Sequence, residues 1–235
     1  MGLLLGRGLN MVSAEDVMEE VLEEFRQFLI SYLRDKDSRQ KRSYPWKESW
    51  RFIVAHSYRV EAYARELIEA EGGVSASDEI LIRAAALMHD IGSLDDRRSH
   101  HKVGAEIVKK WSRHKPEIRK AVDCKLLAGM IRTHRRKDGK EKNLTTAILK
   151  DADILDELGA MSVFMMAHQI DPSSYDYYSR ILSLLEKNEF AFFKKQQGRL
   201  TTSAAKKIMR RKLLFIKEFS SRLRDELKGT DTLEL

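Results

Sequence analysis

The sequence has little of the residues that cross-link a chain or interrupt a helix. Its 235 residues include one cysteine, three prolines and twelve glycines. A single cysteine, Cys124, excludes an internal disulfide framework and fits a reducing compartment, where a lone cysteine is usually a small buried hydrophobe.

Long hydrophobic runs are also absent. The apolar segment at residues 3–5 is far shorter than the ~20 residues that span a bilayer, and it lacks a basic leading region. We expect a cytoplasmic protein with no membrane partner, in which the first residues form a frayed leader and Met11 is an alternative start.

An excess of positive charge is present but small. The chain has 43 Lys and Arg against 36 Asp and Glu, a net charge of +7, with both signs interspersed. This balance mildly favours an anionic ligand. The basic run at residues 206–212 alternates with apolar positions, as an ordinary amphipathic helix does, so nucleic acid is not the expected partner.

Apolar residues recur at three- and four-residue spacing along the chain, which predicts an all-α fold. Charged residues 34–42 and 135–143 are predicted as solvated connections. The predicted helices run from Ser13 to Leu33, Trp50 to Ala70, Glu79 to His89, His101 to Ser112, Glu117 to Thr133, Leu144 to about His168, Tyr175 to Lys194 and Ser203 to Lys228.

The composition shows no shift that would mark a linker, which favours one compact domain. We divide it into a leader and helix at residues 1–45, a helical core at 46–170 and C-terminal helices at 171–235 that pack on this core. The sequence does not set the oligomeric state.

Five of the seven histidines, His56, His89, His100, His101 and His134, fall within about eighty residues. The helix that ends at His89 is apolar on nearly every side, so the His89-Asp90 pair is predicted to leave a buried helix. An unpaired buried carboxylate is costly, and Asp90 therefore needs a basic partner or a metal ion that also uses an imidazole.

Residues on two other predicted helices favour a metal ion, and not a basic side chain, as the partner of Asp90. His56 is predicted to face inward, and the helix from Leu144 brings Asp151, Asp153 and Asp156 into apolar surroundings. Two imidazoles and two carboxylates suit a first-row divalent ion. Helical geometry alone leaves the choice among the three aspartates open, and a single buried histidine is more often a hydrogen-bonded core residue than a ligand.

The order His56, then His89-Asp90-Ile91-Gly92, then Asp153 resembles the HD-domain superfamily of metal-dependent phosphohydrolases, in particular its stand-alone bacterial and archaeal members. The likeness covers roughly residues 50–167 and implies an HD-domain-like compact helical bundle with additional N- and C-terminal helices. The matching segments are His56–Val60, Ala85–Gly92, His100–Glu106, Ile131–His134 and Lys150–Asp156.

This resemblance assigns the metal to His56, His89, Asp90 and Asp153. The ion would be Mn, Fe, Co, Ni, Zn or Mg. In some members the histidines that correspond to His100 and His134 bind a second ion, and in others they contact phosphate. We expect Asp151 and Asp156 to orient ligands or basic groups.

The chain also departs from the pattern. It has Ser49-Trp50-Arg51-Phe52 where such members often carry another His-Asp, and Ser93-Leu94 where they carry a carboxylate or lysine. The departures leave the substrate and the acid-base partner open.

A divalent ion suits phosphoester hydrolysis because it can lower the pKa of bound water from 15.7 to about 7. We predict Asp90 as the catalytic group that orients this water or accepts its proton. His100 or His134 would stabilise developing charge or protonate the leaving oxygen.

Basic residues near these positions are candidates for binding the substrate phosphate. We predict that Arg59, one turn after His56, and Lys102 do so. Arg97, Arg98 and residues 135–137 border the other ligands, although the last group is equally consistent with a solvated face.

The predicted function is metal-dependent hydrolysis of a small phosphorylated substrate, preferably a nucleotide. The alternatives are a phosphodiesterase acting on a cyclic nucleotide or on nucleic acid ends, and a non-catalytic module that binds a metal or an anion.

Overall fold

The computed structural model describes residues 13–37, 49–138 and 141–229, and within these ranges every regular element is a helix. This confirms the predicted all-α fold. The leader and residues 38–42 lie outside the described residues. The helices are α1 Ala14–Asp37, α2 Trp50–Glu71, α3 Ala76–Met88, α4 His100–Ser112, α5 Pro116–Ala121, α6 Cys124–Thr133, α7 Leu144–Asp156, α8 Ala160–Ala167, α9 Tyr177–Leu184, α10 Phe190–Gln197 and α11 Ser203–Lys228, with a π-helical turn Leu185–Glu189 between α9 and α10.

Helix α3 is the centre of the fold. All nine residues of its second part, 80–88, are buried, and the helix contacts α1, α2, α6 and α7. Its one buried charge, Arg83, is paired with Glu61 of α2. The prediction of a buried central helix is confirmed, and the helix begins three residues earlier than expected because Ser75 caps it by accepting from Asp78 N–H. His89 and Asp90 directly follow α3, and they therefore lie where this buried helix ends.

A close approach of backbone segments brings α4 to the end of α3. A Cβ atom at Gly92 would lie 2.6 Å from the carbonyl oxygen of His100 and 2.7 Å from the nitrogen of Gly104. Only glycine fits at such a contact. Because Gly92 has no side chain, the first turn of α4 packs directly beside Asp90.

Two helices that were predicted as continuous are interrupted. Extended backbone at Val122 (φ −133°) separates α5 from α6, and Asp123 caps α6 by accepting from two backbone N–H groups. The second break is at Gly159, whose φ of 86° lies in the region that favours glycine, and it separates α7 from α8. Residues 34–37 also belong to α1 and not to the predicted connection.

Cys124 is half-buried, less enclosed than predicted, and is free. Among the described helices, none combines the length and the apolar character needed to cross a membrane.

The C-terminal helix is tied to the core through α7. Asp151 on α7 accepts hydrogen bonds from the backbone N–H groups of Thr201 and Thr202 and from the Thr202 hydroxyl, at 2.7 to 3.1 Å. Helix α11 contacts α2, α7 and α9. The expectation that Asp151 orients ligands is wrong, because its carboxylate faces the start of α11.

The substitution Asp151→Ala leaves three donors without their acceptor, two of them on the buried Thr202. We expect it to lower the free energy of unfolding by about 2–3 kcal/mol, measured by urea denaturation. Glu218→Ala, which removes an exposed pair with Arg222 on α11, is the control and should cost at most about 0.5 kcal/mol. Equal losses in the two variants would contradict the anchoring role of Asp151.

Candidate metal centre

Four imidazole rings from four helices converge beside the end of α3. His56 lies on α2, His89 directly follows α3, His100 begins α4 and His134 directly follows α6. The Nε2 atoms of His56 and His89 are 3.1 Å apart, and those of His100 and His134 are 3.2 Å apart. The structure therefore brings together the four histidines predicted from the sequence to serve metal binding or catalysis.

Each of the four rings has its Nδ1 atom against an oxygen acceptor. These acceptors are Asp156 Oδ2 for His56, and the carbonyl oxygens of Ala86, Arg97 and Ile131 for His89, His100 and His134, at 2.7 to 2.8 Å. The acceptors of His89 and His134 belong to the last turns of α3 and α6, where carbonyl groups lack helical partners. Because an acceptor holds the proton on Nδ1, the Nε2 atom of each ring faces the cluster.

Two carboxylates divide the cluster into two sets of groups. Asp153 Oδ1 lies 3.5 Å from His56 Nε2 and 3.7 Å from His89 Nε2. Asp90 lies between the pairs, with Oδ1 3.0 Å from His100 Nε2 and 3.8 Å from His89 Nε2. We call His56, His89, Asp90 and Asp153 the first ligand set, and His100, His134 and Asp90 the second ligand set.

The electrostatics of the first ligand set fit a cation. Burial lowers the pKa of His89 to about 4, so this imidazole is neutral at pH 7. Burial also opposes ionisation of Asp90 and Asp153, yet the imidazoles and other cations nearby hold both pKa values well below the usual range. Two buried carboxylates and the converging Nε2 atoms favour positive charge between them, and a mixed nitrogen and oxygen donor set suits a first-row divalent ion.

Asp156 supports His56 of the first ligand set through the ring nitrogen Nδ1. It accepts from His56 Nδ1, and it also binds Arg59 through Nε at 2.6 Å and a terminal nitrogen at 2.9 Å. Burial lowers the pKa of His56, but the hydrogen bonds with Asp153 and Asp156 outweigh burial and raise it to about 10. Asp156 thus contacts both the predicted ligand His56 and the basic residue Arg59, which is the arrangement expected for an orienting carboxylate.

The two ligand sets open into a cavity of about 310 Å³. One part of its wall is cationic and another is apolar. The cationic residues are Arg59, Arg97, Arg135 and Lys137, and the apolar residues are Phe52, Ile53, Met161 and Met165. The break at Gly159 allows α8 to supply the two methionines.

The predicted phosphate-binding residues have different positions. Arg59 lines the cavity, whereas Lys102 is exposed on α4 and is not among the lining residues. Lys102 follows His100 by two positions, and two residues turn a helix by about 200°, so the two side chains leave opposite faces.

Lys137 is a component of the site that the sequence did not single out. Its side chain is 15% exposed, and its Nζ lies 2.5 Å from Asp153 Oδ2. Burial lowers the pKa of this ammonium, but Asp153 and Glu157 outweigh that effect and raise it. Residues 135–137 precede α7 in a loop without periodicity, so no pattern marked Lys137 as inward-facing.

Comparison with known proteins agrees with this geometry. Residues 53–158, which contain both carboxylates and all four histidines, match the HD domain family. The chain is 29% identical over 162 residues to a 3'3'-cGAMP-specific phosphodiesterase 3 of Vibrio cholerae. The matched segment is 61% of this chain and 35% of that relative, so this chain corresponds to only part of its length.

Solved structures share the fold at lower identity. A predicted HD superfamily hydrolase from an uncultured Thermotogales bacterium has a TM-score of 0.60 at 22% identity, covering 92% of this chain and 99% of that one. An HD-superfamily hydrolase from Bacillus thuringiensis has a TM-score of 0.58 at 20% identity, covering 90% and 98%. From the motif order, the geometry of the cluster and these matches, residues 53–158 of this chain are an HD domain, and the chain has the all-helical fold of that superfamily.

Proposed function

We propose that this chain is a metal-dependent phosphohydrolase that holds two divalent ions, one in each ligand set, and cleaves a small phosphorylated substrate. The observation that carries the proposal is the position of Asp90, whose carboxylate lies between two pairs of imidazole Nε2 atoms. Two adjacent sites that share a ligand suit phosphoryl chemistry, in which charge develops on both the attacking and the leaving oxygen.

When bound, divalent ions lower the pKa of water and polarise a phosphoryl oxygen. The residues of the chain set the geometry around them. Asp90 stays ionised and orients the attacking water at the junction of the two sets. Asp156 fixes the ring of His56, and the helix-end carbonyls fix His89 and His134. Arg59 provides positive charge at the cavity wall for the substrate phosphate.

A nucleotide is the substrate class that we propose. Small-molecule pockets enclose about 300–1,000 Å³, and this cavity of about 310 Å³ is at the small end of that range. Its cations suit a phosphate, and Phe52, Met161 and Met165 suit a flat, weakly polar base. We further propose a cytoplasmic location, which agrees with the free Cys124.

A cyclic dinucleotide is the second candidate substrate. It is favoured by the Vibrio cholerae relative, whose name specifies 3'3'-cGAMP. The chemistry of the two ligand sets serves a phosphodiester equally well. The size of the cavity favours the smaller molecule.

Chromatographic separation of the products from a nucleotide panel distinguishes these candidates, because hydrolysis of a cyclic dinucleotide opens the ring to a linear dinucleotide and releases no free phosphate. With Mn, Co, Ni or Mg present, we expect at least one nucleoside mono-, di- or triphosphate to be cleaved with a kcat/KM about tenfold or more above that for 3'3'-cGAMP, because the cavity accommodates one nucleotide better than two. A preference for 3'3'-cGAMP would establish the second candidate. No turnover of any compound by metal-loaded protein would favour a non-catalytic binding module.

Metal content tests the two ligand sets. We expect about two ions per chain in the wild type and one in His134→Ala, since only the second set uses His134. Asp90→Asn removes the shared carboxylate and should lose both ions. Its turnover should fall at least about 1000-fold, because several kcal/mol of transition-state stabilisation is lost.

Elemental analysis after gel filtration measures the ions, and Asp171→Asn, on an exposed loop, is the control. Retained turnover in Asp90→Asn would refute the mechanism.

The orienting role of Asp156 gives a further prediction. Asp156→Ala frees the ring of His56 while all the proposed ligands remain, so Mn²⁺ affinity should fall about 10- to 100-fold without loss of helical content. Calorimetric titration with Mn²⁺ and circular dichroism measure the two quantities. Wild-type affinity in this variant would show that His56 needs no such support.

A further inference from the structure

We propose that Lys137 is a substrate-binding residue that the ligand Asp153 holds in place, so that its ammonium group receives the substrate phosphate beside the first ligand set. The inference rests on the proposed function. It adds a specific residue, in a loop outside the helices, that couples metal occupancy to phosphate binding.

The two oxygens of Asp153 face different partners. Oδ1 is directed to the imidazoles, 3.5 Å from His56 Nε2 and 3.7 Å from His89 Nε2. Oδ2 is 2.5 Å from Lys137 Nζ. One carboxylate therefore serves a metal position through one oxygen and anchors a cation through the other.

The negative charge that compensates Lys137 comes first from Asp153, with Glu157 also contributing. Its side chain is 15% exposed and lines the cavity, so its charge is largely removed from water. A buried ammonium depends on nearby negative charge. A divalent ion bound to Asp153 would offset part of the negative charge of the same carboxylate. The Lys137 ammonium would then have less negative charge beside it than before.

The ammonium also has the donors that a phosphate needs. Lysine carries three N–H donors, and one lies against Asp153 Oδ2. Arg59, by contrast, uses Nε and a terminal nitrogen to hold Asp156, and Arg135 donates to the carbonyl of Arg98. Of Arg59, Arg135 and Lys137, it is Lys137 whose partner is a proposed metal ligand.

Two roles for Lys137 make opposite predictions for metal binding. If it only orients Asp153, removing it weakens metal binding, as expected for Asp156. If it is a phosphate-binding cation, removing it relieves repulsion between the ammonium and the ion, so metal affinity is kept or rises. Phosphate affinity falls in the second case.

The test compares Lys137→Met with wild type in three measurements: Mn²⁺ affinity by calorimetry, binding of inorganic phosphate to the Mn²⁺-loaded protein, and hydrolysis of bis(p-nitrophenyl) phosphate. We expect unchanged or tighter Mn²⁺ binding, phosphate binding weakened at least about tenfold, and kcat/KM lowered about 100-fold. Lys137→Arg keeps the charge and should recover part of the phosphate affinity.

Lys142→Met, which removes an exposed lysine just before α7, is the matched control and should resemble wild type in all three measurements. Weaker Mn²⁺ binding in Lys137→Met, or phosphate affinity equal to that of wild type, would overturn the proposal while the phosphohydrolase function stands. Failure of the wild type to bind Mn²⁺ or to release nitrophenol and nucleotide phosphate would instead count against the proposed function itself.

Discussion

The need to compensate ionised carboxylates inside an apolar core governs this structure. Asp90 follows a helix whose last nine residues are buried, and Asp153 lies on a helix buried from residue 147 to its end. Neither charge is tolerable without partners. The imidazoles of His56, His89, His100 and His134 gather around these two carboxylates, and the resulting cluster has the mixed nitrogen and oxygen donors that suit a divalent ion.

Helix α7 shows how one element serves stability and function at once. The three aspartates of this helix face different partners. Asp151 contacts the start of α11, Asp153 faces the imidazoles of the first ligand set, and Asp156 contacts Arg59 and His56. Asp151 has partners of its own, whereas Asp153 and Asp156 share His56. Asp153 lies two positions after Asp151 on α7, so its placement depends on the packing of the C-terminal helix against Asp151.

Periodicity in the sequence was sufficient to predict the helices and the burial of α3, because apolar spacing reports directly on which face is covered. The breaks at Val122 and Gly159 were not predictable, since one extended residue or one glycine does not disturb that spacing. The choice of Asp153 came from the resemblance to the HD superfamily, because helical geometry alone left three aspartates equivalent. Lys137 was named only within the basic run 135–137, because loop residues have no periodicity to show where they point. Lys102 was favoured for its place next to the histidines, although it lies on α4 and helical geometry directs it away from His100.

The four histidines differ in what holds them. His89, His100 and His134 each bond a backbone carbonyl three residues earlier, so the local chain sets the direction of these rings. His56 depends on a side chain that is one hundred residues away in the sequence. Three of the four rings thus need no dedicated partner, and the residues that line the cavity are free to change during evolution without disturbing them. Substitutions in the cavity wall should therefore change what the cavity accepts without turning these three rings.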